Sequence, residues 1–214
     1  MARLAQLVLI TFALALAGCS TAYYAAWEKL GVEKRDLLVD RVEDAQEAQE
    51  DGKEQFATAL EQFKSVVEFD GGDLEDYYDS LNSELENSQE AAEEITGRIN
   101  DVEDVAEDLF KEWENELDQY TNANFRRDSA AKLNETRSQY QRLITSMRRA
   151  ESSIEPVLAV LNDNVLYLKH NLNARAIASL KGELATVNQN VDKLMSNMQA
   201  AIDESNSFIQ SLNN

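Results

Sequence analysis

Apolar residues recur at alternating steps of four and three along most of the chain. Leu38, Val42, Ala45, Gln49, Gly52, Phe56, Ala59, Phe63 and Val66 form one such stripe, and this spacing keeps all of them on one helical seam. Asp70-Gly71-Gly72-Asp73 interrupts it. The glycines release the backbone, and Asp73 suits the cap of a following helix. A second stripe runs through Leu74, Tyr78, Leu81, Leu85, Ser88, Ala92, Ile95, Ile99, Val102, Ala106, Leu109 and Trp113, and ends near Tyr120. Thr121 to Asn124 read as a loop. A third stripe begins at Leu133 and passes through Tyr140, Ile144, Met147, Ile154, Leu158, Leu161, Val165 and Leu168 to Leu172. Pro156 lies inside it and predicts a kink or local break. The fourth stripe holds Leu180, Leu184, Val187, Val191, Leu194, Met198, Ala201, Ser205, Phe208 and Leu212. The expected helices are about 22–69, 73–120, 126–172 (kinked at Pro156) and 174–212.

Between the third and fourth stripes the steps become four and four (Leu172, Ala176, Leu180). This is either a stutter in one continuous helix or a turn near Asn173. A chain folding back about Gly71 and Gly72 sets residue i opposite about 143 − i, and a second fold near Ala123 sets it opposite about 246 − i. Leu172 then reaches the far end of the bundle, opposite Leu74. A continuous helix would carry another ~40 residues, roughly 60 Å, into water with its seam bare. The preferred fold is therefore all-α: an elongated antiparallel bundle of four helices, about 70 Å long. The alternative is three helices with a long continuous C-terminal one. The register places Gly52 near Ala91 and Ala92, Phe56 near Ser88 and Phe63 near Leu81.

The N-terminus carries different information. Met1-Ala2-Arg3 precedes an apolar run from Leu4 to Leu16 broken only by Gln6 and Thr11, a secretory signal pattern that is short for a membrane span. Leu16-Ala17-Gly18-Cys19 follows and matches a bacterial lipobox. The expectation is a signal peptide over 1–18, cleavage between Gly18 and Cys19, and lipidation of Cys19 by acyl chains sufficient for stable anchoring. One domain then spans 19–214. Ser20, where Asp would favour inner-membrane retention, points to the outer membrane and its periplasmic face in a Gram-negative cell. Tyr23, Tyr24 and Trp27 lie close behind Cys19. Trp113 and Tyr120 return to the same end of the bundle. They form either an aromatic plug or a surface resting on the lipid–water interface.

Composition narrows the chemistry. Seven Gly and one Pro argue against a β domain rich in turns. One Cys excludes an internal disulfide or Cys-based zinc site, and one His excludes a multi-histidine metal centre. His170 reads as a surface residue of a helix C-terminus. Asp70 to Asp76 lacks the EF-hand pattern and reads as a capping loop. No glycine spacing forms a phosphate loop. No catalytic residue, metal or cofactor is expected, and the chain reads as a non-enzyme. The net charge of −20 argues against nucleic acid as a general partner. That charge is uneven: from Cys19 to Tyr120 there are 31 acids against 8 bases, and from Thr121 onward 9 against 11. Arg126, Arg127, Lys132, Arg137, Arg142, Arg148 and Arg149 make the third helix basic. They either relieve the self-repulsion of the acidic pair or form an anionic-ligand patch.

The segment Val165-Leu-Tyr-Leu-Lys-His-Asn-Leu-Asn-Ala-Arg-Ala-Ile-Ala-Ser-Leu180, with the lipobox and helical body, resembles a bacterial lipoprotein family catalogued as domain of unknown function 2959. The resemblance implies an envelope location and a helical fold, and brings no catalytic residues. The expected function is a membrane-anchored, periplasm-facing helical scaffold or adaptor for an envelope protein. The alternative is a lipid- or envelope-polymer-binding module using the basic third helix. Ala-rich seams also permit homo-oligomers by helix exchange.

Overall fold

The computed structural model describes residues 34–69, 71 and 73–212. The signal segment, Gly18 and Cys19, Tyr23, Tyr24, Trp27, the predicted start of the first helix, and Asp70 and Gly72 lie outside the described residues. Among the described residues the helices are, in order, α1 (Lys34–Val67), α2 (Leu74–Leu117), α3 (Ala123–Ser152), α4 (Glu155–His170) and α5 (Ala174–Leu212). No strand occurs among the described residues. α3 and α4 together make one arm, so the fold is an all-α bundle of four antiparallel arms. α2 alone spans 44 residues, about 66 Å at 1.5 Å per residue.

The arms pack in a ring. α1 lies against α2 and α5, and the α3–α4 arm lies against the same two. One end holds the start of α1, the α2–α3 turn and the end of α5; Lys34 pairs there with Glu112. The other end holds the α1–α2 and α4–α5 turns. The stripes are buried as a continuous core from Leu38 and Phe56 through Ile99 and Met147 to Met198 and Phe208. Cooperative burial of these seams, more than local propensity, holds helices of this length together.

The helix ends have local causes. Asp73 accepts a hydrogen bond from the Glu75 N–H at 3.0 Å, and Asn122 accepts from Asn124 N–H at 2.9 Å. Such side chains satisfy amides that a helix start leaves open. Gly71 adopts φ +145°, a left-handed value suited to glycine. The chain does turn near Asn173, whose side chain accepts from Arg175 N–H at 3.0 Å and Ala176 N–H at 3.2 Å. α5 then runs back along α3 and α4, with Arg142 donating to Glu204 and Asn190 to the Pro156 carbonyl. A continuous C-terminal helix is thereby set aside.

Two helix bounds need correction, and the break expected at Pro156 is located. The third helix starts at Ala123, not 126, because Asn122 caps it. The second ends at Leu117 rather than 120. The third arm is broken at Ser153–Ile154, just ahead of Pro156, which sits in the first turn of α4. Proline has no N–H, and its ring excludes the carbonyl four residues back, so the helix has to part upstream of it. The break is tightened by Ile154 N–H to the Glu151 carbonyl at 3.0 Å, and the Ser153 hydroxyl donates to the Ala150 carbonyl at 2.6 Å.

The expected register between α1 and α2 holds, with Gln55 reaching Ser88 Oγ and Arg98 reaching Asp44. A Cβ placed on Gly52 would come within 2.6 Å of Ile95 Cδ1, so the Ile95 side chain fills the space left open at Gly52. The layer is small against large, with Met198 of α5 on its other side. Gly52→Ala gains about 1 kcal/mol of helix propensity but overpacks the layer at about 1–3 kcal/mol. The expected result is a net loss of stability in urea unfolding. In an Ile95→Val background, which lacks Cδ1, the same change should be neutral or stabilising, giving a coupling of at least ~0.5 kcal/mol in the double-mutant cycle.

Candidate functional site

The seven bases of the third helix do not form one patch. Arg137 Nη1 donates to Glu114 of α2 at 2.6 Å, and Arg126 to Asp118 at 2.8 Å. Arg142 turns the other way, to Glu204 of α5 at 3.3 Å. Arg148 binds Glu103 through two nitrogens, Asn100 at 2.7 Å and Glu151 at 2.9 Å. Arg127 lies 3.9 Å from Asp128 and Lys132 3.9 Å from Glu135. Arg149 is exposed in the last turn of α3, where its charge complements the helix carbonyls. The hydrogen bond to Glu103 is the main reason the Arg148 guanidinium is held even more firmly protonated than usual, against the opposing effect of burial. The hydrogen bond and charge of Arg137 likewise hold the Glu114 carboxyl below the ordinary carboxylate range. Helical geometry explains the pattern: Arg127, Lys132, Arg137 and Arg142 follow one another at steps of five, each a rotation of about 140° on a helix of 3.6 residues per turn, so the bases of α3 reach both flanking arms.

Between α2 and α3 these pairs border a cleft of about 590 Å³. Its floor is aromatic. Phe110 and Tyr140 meet edge to face with ring centroids 5.4 Å apart, and the Arg137 guanidinium lies 5.2 Å over the Phe110 ring. This is a favourable cation–π distance. Glu103, Asp104, Glu107 and Glu114 stand along the α2 side, with Lys111 and Gln141 at the rim. Tyr140 is 8% exposed, and its hydroxyl makes no hydrogen bond among the described residues. Burial, reinforced by the Glu103 carboxylate, pushes the phenol up to about 12. The group stays a neutral donor and acceptor at physiological pH.

The aromatics near the α2–α3 turn divide. Trp113 is half-buried and its indole N–H donates to Ser129 at 2.8 Å, so it belongs to the packing between arms. Tyr120 and Phe125 are exposed at that end, by 43% and 62%. His170, Lys169 and Asp73 are exposed at the opposite end. Among the described residues no group of three or more His, Cys, Asp or Glu side chains is placed to hold a metal ion. No described helix is long and apolar enough to cross a membrane.

The cleft is what sequence reasoning missed. Tyr140 falls in the third stripe as an ordinary core residue, and the second stripe takes Leu109 rather than Phe110. Phe110 is the more buried of the two. The drift of a 3.6-residue helix against a heptad pattern over 44 residues was the signal that could have moved Phe110 onto the seam.

No curated protein matches the chain. The model of the family described as "Protein of unknown function (DUF2959)" matches residues 23–212, nearly the whole length beyond the N-terminal apolar segment, and the chain belongs to that family.

Proposed function

We propose that the protein is a non-enzymatic envelope lipoprotein, anchored through Cys19 in the outer membrane, whose bundle serves as a periplasm-facing scaffold or adaptor for another envelope protein. The observation that carries this reading is the sequence Leu16-Ala17-Gly18-Cys19 at the end of an apolar segment, with Cys19 the sole cysteine. The form of the bundle is consistent with it. α1 starts at the end opposite the α1–α2 and α4–α5 turns, so an anchor ahead of α1 leaves those turns on the far side. The outer faces of α1 and α2 are rich in exposed carboxylates such as Glu47 and Glu90, which suits a protein partner with basic complementarity.

The rival reading, an anionic lipid or polymer held by Arg126 to Arg149, has less support. Arg137, Arg142 and Arg148 are committed to carboxylates of neighbouring arms, and an anionic ligand would have to displace them.

In-cell photocrosslinking from positions 47 and 90, in wild type and in Cys19→Ala, tests the proposal. The wild type is expected to fractionate with the outer membrane and to give a discrete protein adduct. Cys19→Ala is expected to move to the soluble fraction and lose that adduct. A Cys19→Ala protein that stays with the membrane would sink the anchor, and adducts confined to lipid or glycan would sink the adaptor.

A further inference from the structure

The cleft between α2 and α3 has the makings of a binding site that neither the anchor nor the adaptor reading uses. Its volume, about 590 Å³, is far larger than a bare metal ion and fits a small organic group. Asp104 and Glu107 are exposed on its α2 side and make no ion pair among the described residues. Beneath them lies the Tyr140 side chain, more than nine-tenths buried, with a hydroxyl that has no hydrogen-bond partner among the described residues. Tyr140 lines the cleft and its hydroxyl is not sealed from solvent, so a guest in the cleft can reach it. The floor already holds one organic cation, since the Arg137 guanidinium rests on Phe110 and closes against Glu114.

Among the groups around the cleft, Arg137 is matched by Glu114 and Glu103 by Arg148, which leaves Asp104 and Glu107 against Lys111. The local field therefore favours a positive guest. An aromatic floor below carboxylates suits ammonium and guanidinium groups, which combine ion pairing with cation–π attraction.

We propose that the α2–α3 cleft binds an organic cation, a primary ammonium or guanidinium group, with Asp104 and Glu107 as counter-charges and the Tyr140 hydroxyl as its hydrogen-bond acceptor. The cation is carried either by a free polyamine or by a lysine or arginine side chain of a peptide. The site stands on the geometry of the bundle and does not depend on lipidation at Cys19.

Isothermal titration of the full chain in detergent micelles tests this, with spermidine and a hexa-arginine amide as probes and Mg²⁺ as the reference for diffuse attraction to an acidic surface. At least one organic probe is expected to bind with one-site stoichiometry and more tightly than Mg²⁺. Spermidine binding points to a free polyamine, and binding of the peptide alone points to a partner's side chain. Tyr140→Phe alters no charge and keeps the ring, and it should weaken binding roughly tenfold, the worth of one hydrogen bond to a charged group. Glu107→Gln should weaken it by a similar factor. Glu183→Gln, an exposed carboxylate on α5 with the same change of charge, should leave binding unaltered. The proposal is overturned if neither organic probe binds more tightly than Mg²⁺, or if Tyr140→Phe or Glu107→Gln has no more effect than Glu183→Gln. Thermal melts of each variant separate lost binding from lost fold.

Discussion

Phe56→Ala is expected to destabilise the bundle by about 3–5 kcal/mol. Phe56 is fully buried, on the α1 seam one turn beyond Gly52. The fold register puts it opposite Ser88, which is itself fully buried and gives its hydroxyl proton to the Glu84 carbonyl at 2.7 Å. Gln55, beside Phe56, reaches the Glu84 carboxylate at 2.7 Å and Ser88 Oγ at 3.5 Å, which fixes α1 against α2 at this level. A cavity here cannot collapse easily, because both helices are pinned on either side of it. The loss should appear as a lower urea midpoint with an unchanged slope. The control is Phe125→Ala at the exposed α2–α3 end, expected to change stability by no more than ~0.5 kcal/mol. Equal losses at the two positions would refute the placement of Phe56 in the core.

Gln49→Met should act in the opposite direction and stabilise the protein by about 1–3 kcal/mol. Gln49 is fully buried on the α1 seam, one turn before Gly52, and neither its amide nitrogen nor its amide oxygen finds a hydrogen-bond partner among the described residues. Methionine follows the same unbranched path with similar volume and no polar atoms to satisfy. For a chain of this length each kcal/mol corresponds to about 2–4 °C in Tm, so the shift is measurable by calorimetry. A fall in Tm would mean that the amide has a partner such as a buried water. A polar side chain in an apolar seam can also select one register among several. The companion observation is therefore whether Gln49→Met remains a single species in sedimentation. Alternate registers or helix-exchanged dimers would show as added species even while the melting temperature rises.

Helix existence and the buried faces were legible from the chain alone. The stripes through Phe56, Ile99, Met147 and Met198 repeat at helical spacing, and these residues are buried. Asp73 was legible as a cap, and the turn near Asn173 followed from length, since only folding back could cover the last seam. Pro156 announced a break in the third arm, though its position upstream at Ser153–Ile154 depends on which carbonyl the ring displaces. Asn122 was read as loop although it caps α3, because the same residue type serves loops and caps alike.

Side-chain commitment was not legible. Periodicity states which face of a helix is apolar, but sliding one helix by a turn leaves that face unchanged. The turn positions fix that offset, as the Gln55–Ser88 contact shows, but spacing does not say which side chain fills a gap, as where Ile95 takes the space beside Gly52. The seven bases of the third helix were visible as a charge run, yet only the placement of Glu114, Glu204 and Glu103 on the flanking arms decided where that charge is spent. Tyr140 looked like one more core residue until Phe110 and the α2 carboxylates came to lie beside it. The sequence by itself determined the helices and their buried seams, because these rest on neighbours a few residues apart. Tertiary structure alone decided the layers, the ion pairs and the cleft, because they join residues tens of positions apart whose meeting depends on how whole helices settle against one another.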